Sequence, residues 1–134
     1  MQRVRGSVLI VEDDPGLCGV MRRILSDSFD VLVVFDGLEA LALFEAGQRF
    51  DVVLCDLHMP RMGGLDLLRA LTVLDRQQAA RVILVTGNPH GSGVENYFVV
   101  EKPFNVQRLR DLVGLVADAA QQDYFPAPRT RAPL

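Results

Sequence analysis

Ser7-Val-Leu-Ile-Val-Glu-Asp-Asp-Pro15 is an apolar run that stops on three acids and a proline. The run fits a buried strand. Pro15 suits the first turn of a following helix, because the N–H it lacks would have no partner there. The next residues agree: Leu17, Val20, Met21, Ile24 and Leu25 form a stripe of helical period. A strand, an acidic turn and an amphipathic helix make one βα unit.

The same grammar repeats along the chain. A second strand over 31–35 ends at Asp36-Gly37, with Asp36 placed to cap a helix over 37–46. That helix buries Leu38, Leu41, Ala42 and Phe44, and Gly47 marks its end. A third strand over 51–55 leads through the Met59–Gly64 loop into a helix over 65–75. The fourth strand is 81–85 and the fifth about 97–101. A last helix starts near Asn105, with Val106, Leu109, Leu112, Val113 and Val116 as its buried stripe. Strands two to five are continuous Val/Leu/Ile runs, as expected when helices cover both faces of a parallel sheet. The fold class is therefore α/β, a doubly wound sheet of five parallel strands. Between strands four and five, Gly87 to Asn96 holds three Gly and a Pro in ten residues. One short turn or an irregular crossover is expected there, so the fourth helix is shortened or missing. From Gln121 to Leu134 the chain has three Pro, two Arg and no apolar period, which reads as a tail or linker stub.

The chain has 134 residues, enough for one domain with its own core. It is 49% hydrophobic and 23% charged, and its net charge of −3 gives no basic footprint for nucleic acid. No run approaches a membrane span and no signal-peptide pattern opens the chain, so a cytoplasmic protein with no membrane contact is expected. Cys18 falls in a predicted helix and Cys55 in a predicted buried strand, and both read as free thiols.

Ligands of open parallel sheets bind beyond the carboxyl ends of the strands. Those ends hold Glu12-Asp13, Asp56, Thr86 and Lys102. Each alone has an ordinary explanation: acids at a helix N-terminus, an Asp in a turn, a Thr with strand propensity, a solvated Lys. Together, three acids, a hydroxyl and an ammonium describe a site for a divalent cation and a phosphoryl group.

Four motifs carry a specific resemblance: Val8-Leu-Ile-Val-Glu-Asp-Asp-Pro15, Asp51-Val-Val-Leu-Cys-Asp-Leu-His-Met-Pro-Arg-Met-Gly-Gly64, Ile83-Leu-Val-Thr-Gly87 and Glu101-Lys-Pro-Phe104. In this order, over roughly 7–118, the chain resembles the receiver domain of two-component response regulators. The resemblance implies a flavodoxin-like strand order 2-1-3-4-5 and a domain phosphorylated by a histidine kinase or phosphotransfer protein. It implies Asp56 as phosphoacceptor, a carboxylate able to attack phosphorus once its charge is compensated. Mg²⁺ is the implied cofactor, with Asp13 a direct ligand, Glu12 acting through water, Asp56 supplying an oxygen and His58 its main-chain carbonyl. Thr86 is the implied hydroxyl for a phosphoryl oxygen, and Lys102 the cation that pairs with it. Gly87 and Leu57 are the implied neighbours of that group, and the Lys102–Pro103 peptide is implied to be cis. Such a domain is a signalling device rather than a turnover enzyme, catalysing only its own phosphorylation and slow dephosphorylation. Asp14 reads as part of the helix N-terminus, Cys55 as core, Met59 and Met62 as loop anchors, and His90 as a solvated side chain.

Three departures stand out. Lys102 lies 16 positions after Thr86 (102 minus 86), too close for the usual crossover helix and the dimer surface it builds. The switch position three residues before the Lys is Val99, with Tyr97 on the same strand face as a substitute for the family's aromatic residue. Gly63 stands where an acidic or small polar residue is common, a change that reads as mild. The expected domain is 1–120, followed by 14 residues (134 minus 120), too few for a DNA-binding domain. The expectation is a stand-alone regulator or phosphorelay intermediate, monomeric or weakly dimeric on phosphorylation, that switches an unknown output protein. Alternatives are the receiver portion of a longer regulator or hybrid kinase, or a phosphorylation-independent interaction module. A phosphatase with a similar sheet would carry Asp-x-Asp, but His58 occupies the third position.

Overall fold

The computed structural model describes residues 5–88, 93–94 and 97–124. Five strands, β1 (Gly6–Val11), β2 (Phe29–Val34), β3 (Val52–Asp56), β4 (Val82–Thr86) and β5 (Phe98–Glu101), form one sheet. All pairs are parallel, in the order β2-β1-β3-β4-β5. The order reverses between β1 and β3, the place where an open α/β sheet leaves a crevice at its carboxyl edge. Register sets Val11 beside Cys55, Asp56 beside Val85 and Thr86 beside Glu101, so the strands finish nearly level.

Helices α1 (Pro15–Leu25) and α5 (Val106–Tyr124) cover one face. There Met21, Leu25, Leu109, Val113 and Val116 pack on Val8, Ile10, Leu54, Ile83 and Val100. Helices α2 (Gly37–Glu45) and α3 (Gly64–Leu74) cover the other, with Ala40, Phe44, Leu67 and Leu71 against Leu9, Val53, Cys55 and Leu84. The caps follow the sequence: Asp14 accepts from Gly16 N (2.9 Å), Asp36 from Glu39 N (2.9 Å) and Asn105 from Arg108 N (2.9 Å). Gly47 closes α2 with a left-handed φ of 93°.

Several expectations need correction, among them the buried face of α2, where Ala40 and Phe44 point inward and Leu38 and Ala42 are exposed. β3 and β4 are buried throughout, but β2 and β5 are half-exposed, because each is an edge strand with a single neighbour. A four-residue helix α4 (Arg76–Ala79) lies before β4, where Arg76-Gln-Gln-Ala79 offers no apolar period to reveal it. Helix α5 continues to Tyr124, past the expected boundary at 120, because Ala117 and Ala120 extend its buried stripe. The rest of the expected tail, and His90, lie outside the described residues. Gly63 is not a mild change: it leaves α3 without a side-chain cap, and a Cβ there would sit 2.5 Å from Leu57 O.

The crossover from β4 to β5 has no helical residue among those described. Instead Gly93, at φ 88°, turns the chain so that fully buried Val94 enters the α2–α3 face of the core. Tyr97 N donates to Val94 O (3.1 Å) and leads the chain into β5.

The device that fixes α4 is Gln78, fully buried and bonded to both backbone groups of Phe50 (Oε1 to N, 2.9 Å; Nε2 to O, 2.8 Å). Gln78→Ala leaves a donor and an acceptor unpaired in a dry site, an expected loss of about 2–4 kcal/mol in urea denaturation. A change below about 0.5 kcal/mol would mean that water reaches Phe50 and that the bonds contribute little.

Candidate functional site

The crevice is built first from the turn after β1. Asp14 caps α1, and its own N–H donates to Glu12 Oε2 (3.1 Å). The Cys18 thiol, one turn into α1, donates to Glu12 O (3.1 Å). Glu12 is thus held at both ends and is only 1% exposed. Its Oε1 accepts no hydrogen bond among the described residues, and Lys102 Nζ lies 3.5 Å away, close enough for charge attraction only. Burial pushes the Glu12 carboxyl up to about 7, with the Asp56 charge adding to it and the Asp14 N–H and Lys102 opposing. Burial also raises the Cys18 thiol to about 11, helped by the charges of Glu12, Asp14 and Asp13, so it serves as a neutral donor.

Asp56, at the end of β3, is buried. Its Oδ2 accepts from Lys102 Nζ (3.1 Å) and its Oδ1 from His58 N (3.3 Å). Lys102 is fixed from below, since its N–H donates to Thr86 O (2.8 Å); the peptide bond to Pro103 is cis. Burial pulls its ammonium down, but the hydrogen bond and charge of Asp56, then the charge of Glu12, outweigh that and leave it above the ordinary value. Thr86 is buried and its Oγ1 accepts from Asn88 N (3.0 Å), which leaves the hydroxyl hydrogen to donate. A Cβ on Gly87 would meet nothing within 4 Å among the described residues.

The loop from β3 to α3 is tied down on both sides. Gly64 N donates to Leu57 O (3.0 Å), and a Cβ at Gly64 would lie 2.8 Å from Asp56 O. Only glycine lets α3 start against the end of β3. Arg61, at φ 68°, pairs with Asp36, and Gly37 N donates to Met62 O (3.2 Å). Met59 and Met62 pack on the core beneath. Beside the site a cavity of about 410 Å³ is lined by Leu57, His58, Leu65 and Asn88, among others.

One carboxylate oxygen each from Glu12, Asp13 and Asp56 falls within 4.8 Å of the others. Three such oxygens, with Glu12 also offering a buried acceptor that has no hydrogen bond among the described residues, fit a hard divalent cation. Glu12, Asp13, Asp56 and Lys102 therefore meet at one place, and Thr86 ends the neighbouring strand. Leu57 does not contribute as expected: its side chain is in the core and its N–H is taken by Val85 O (2.9 Å). Val99 pairs with Leu84, two steps below Thr86, half-buried against the α2–α3 face, while Tyr97 lines a surface groove. Cys18 and Asn88 were not foreseen. Asn88 had a readable signal, an amide two residues after a Thr hydroxyl; Cys18 had none.

A parallel sheet of order 2-1-3-4-5 with these groups at its carboxyl edge defines an open α/β domain with an acidic ligand crevice. The family profile described as "Response regulator receiver domain" matches residues 8–114, and the chain belongs to that family. The DNA-binding response regulator MtrA of Mycolicibacterium smegmatis is 32% identical over 118 residues, covering 81% of this chain and 49% of MtrA. The transcriptional regulatory protein CiaR of Streptococcus pneumoniae is 33% identical over 111 residues, covering 77% of this chain and 47% of CiaR. The chain thus spans about half the length of these curated relatives. Among solved structures, the receiver domain of a sensor histidine kinase from Pseudomonas aeruginosa has a TM-score of 0.75 and 25% identity, covering 86% of this chain and 99% of that one. That structure has a magnesium ion coordinated in its active-site cleft. A signal receiver domain from Pseudomonas fluorescens shares the fold, with a TM-score of 0.79 at 22% identity over 92% of this chain and 96% of that one. No helix among the described residues is long and apolar enough to cross a membrane.

Proposed function

We propose that this receiver takes a phosphoryl group onto Asp56 from a histidine kinase or phosphotransfer protein in the cytoplasm, and that the change at Asp56 switches an output partner. The observation that carries this reading is Lys102 Nζ on Asp56 Oδ2 at 3.1 Å, beside three carboxylate oxygens within 4.8 Å. Glu12, Asp13 and Asp56, with the His58 carbonyl, would hold Mg²⁺, which when bound neutralises phosphoryl oxygens and orients them for in-line transfer.

The chain's own groups do the rest. An Asp56 oxygen bonds to phosphorus as the donor's P–N bond breaks, and the departing imidazole nitrogen keeps the electron pair and takes up a proton. Lys102, already hydrogen-bonded to Asp56, moves to the added negative charge. Thr86 donates its hydroxyl hydrogen to a phosphoryl oxygen while still accepting from Asn88 N. Gly87 leaves room for that oxygen. The phosphoryl group is thereby linked through Thr86 and Asn88 to the crossover that plants Val94 in the core, and Val99 and Tyr97 move with it. The domain catalyses its own phosphorylation and no multiple-turnover reaction.

A second reading, the receiver portion of a longer regulator, is favoured by the half-length match to MtrA and CiaR. Both readings share one test. Intact mass after incubation with acetyl phosphate is expected to show one added phosphoryl group with Mg²⁺, and none with EDTA or in Asp56→Asn. An adduct that persists in EDTA or in Asp56→Asn would refute the reading.

A further inference from the structure

Residues 57–63 carry the chain from the end of β3 into α3, and one of them has an unfavourable backbone. Among the described residues, Arg61 is the one non-glycine with a positive φ, 68°. Met62 N donates to Pro60 O (2.8 Å), so Arg61 sits at the centre of a three-residue turn. A γ-turn with positive φ at its centre is the rare and strained kind. Glycine adopts it freely, whereas a residue with a side chain persists there only where its surroundings hold it. What holds Arg61 is Asp36, at the N-terminus of α2. The guanidinium pairs with Asp36 Oδ2, while Oδ1 caps Glu39 N (2.9 Å). Asp36 is buried and Arg61 is largely exposed, so a surface cation reaches in to compensate a buried charge. Beside the pair, Gly37 N donates to Met62 O (3.2 Å). Helix α2 thus grips the loop by one ion pair and one backbone hydrogen bond.

We propose that Arg61, through its ion pair with Asp36, is a positioning residue for Asp56, holding the loop so that the Asp56 carboxylate stays aimed at the cation site. The loop reaches Asp56 directly at its other end. His58 N donates to Asp56 Oδ1 (3.3 Å), whereas Lys102 holds Oδ2. Gly64 N donates to Leu57 O (3.0 Å), which closes the loop on itself, and a Cβ at Gly63 would lie 2.5 Å from that same oxygen. A loop closed this tightly has little slack between Arg61 and His58, three positions apart (61 minus 58). Release at Arg61 therefore reaches His58 N and, through it, the carboxylate. Among the described residues Arg61 forms no ion pair with Glu12, Asp13 or Asp56, so its effect on them is indirect. Outer partners that orient metal ligands commonly govern affinity by about ten- to a hundredfold. The inference rests on the proposed reading that Asp56 helps to hold Mg²⁺ and accepts the phosphoryl group.

The test is Arg61→Gly in the full chain, because glycine suits the turn and removes the ion pair. Calorimetry is expected to show Mg²⁺ binding about tenfold weaker. In EDTA, hydrogen exchange at the His58 amide is expected to be faster than in the wild type. At saturating Mg²⁺ the phosphorylation rate from acetyl phosphate should return close to the wild-type value, since the loop acts on affinity. Arg61→Lys keeps the charge and should restore much of that affinity. Asp36→Asn keeps the cap but loses the charge, and the double variant should bind Mg²⁺ no more weakly than either single one. Leaving Asp36 uncompensated also costs stability. Gln78→Ala, which loosens the fold beyond the opposite end of β3, is the control and should leave Mg²⁺ affinity unchanged. Wild-type affinity in Arg61→Gly, or an equal loss in Gln78→Ala, overturns the proposal and makes the pair a structural tie. A wild type that binds no Mg²⁺ overturns this inference and the proposed function together. One that binds Mg²⁺ but takes up no phosphoryl group overturns the proposed function alone, and the affinities still decide the role of Arg61.

Discussion

Lys102→Met is expected to slow phosphorylation of Asp56 about a hundredfold or more, the usual consequence of removing a group aimed at charge that builds in the transition state. The cause is local. Nζ is 3.1 Å from Asp56 Oδ2 and 3.5 Å from Glu12 Oε1, and it is the one cation in ion-pair contact with either carboxylate among the described residues. Methionine keeps most of the side chain's volume and removes the charge and the hydrogen bond to Asp56. The same change is expected to leave Mg²⁺ binding intact or several-fold tighter, because a competing cation has gone from among three acids. Mg²⁺ affinity by calorimetry and initial phosphorylation rates from acetyl phosphate separate the two effects. Parallel losses of affinity and rate would mean that Lys102 is a scaffold for the acids rather than a partner of the phosphoryl group.

Glu12→Gln is expected to stabilise the metal-free protein at high pH while weakening Mg²⁺ binding. Burial holds the Glu12 carboxyl at about 7, against 4.5 in an exposed chain. Between those values the folded state keeps a proton that the unfolded state has released, so this group makes stability fall as pH rises from 4.5 to 7. The size of the effect is on the order of 3 kcal/mol. Glutamine has the shape without the ionisation, so variant and wild type should match near pH 4.5 and diverge above it, with the variant about 2–3 kcal/mol more stable at pH 8 in EDTA. Saturating Mg²⁺ should reverse that order, because only the wild type gains a ligand-compensated carboxylate. Urea denaturation at several pH values, with EDTA and with Mg²⁺, is the measurement. A wild type that gains stability over the variant between pH 5 and 7 without metal would contradict the buried, uncompensated Glu12.

Much of this molecule can be read in its sequence where local pattern and chemistry agree. The apolar run before Glu12, the Pro15 helix start and the Asp36 and Asn105 caps depend on near neighbours, and the structure has them. The convergence of Glu12, Asp13, Asp56 and Lys102 is legible because parallel strands put their ends on one edge. Features set by contacts distant in sequence are not legible. Gln78 is polar and looks exposed, and only Phe50, 28 residues away, explains its burial. Val94 looks like one apolar residue in a Gly-rich loop until the gap beside α3 requires a plug. Leu57 looked like a phosphoryl contact, but its N–H pairs with Val85 across the sheet. The character of Glu12 depends on its burial and on Lys102, 90 positions later (102 minus 12), and no window of sequence contains both.

The most direct test of the central claim is to locate the phosphoryl group. The chain is treated with acetyl phosphate and Mg²⁺, reduced with borohydride, and mapped by tandem mass spectrometry. An acyl phosphate on Asp56 is reduced to homoserine at that position alone, and this is the expected result. Homoserine at Asp13 or another acid, or phosphate on His58 or Thr86 with Asp56 untouched, would contradict the account.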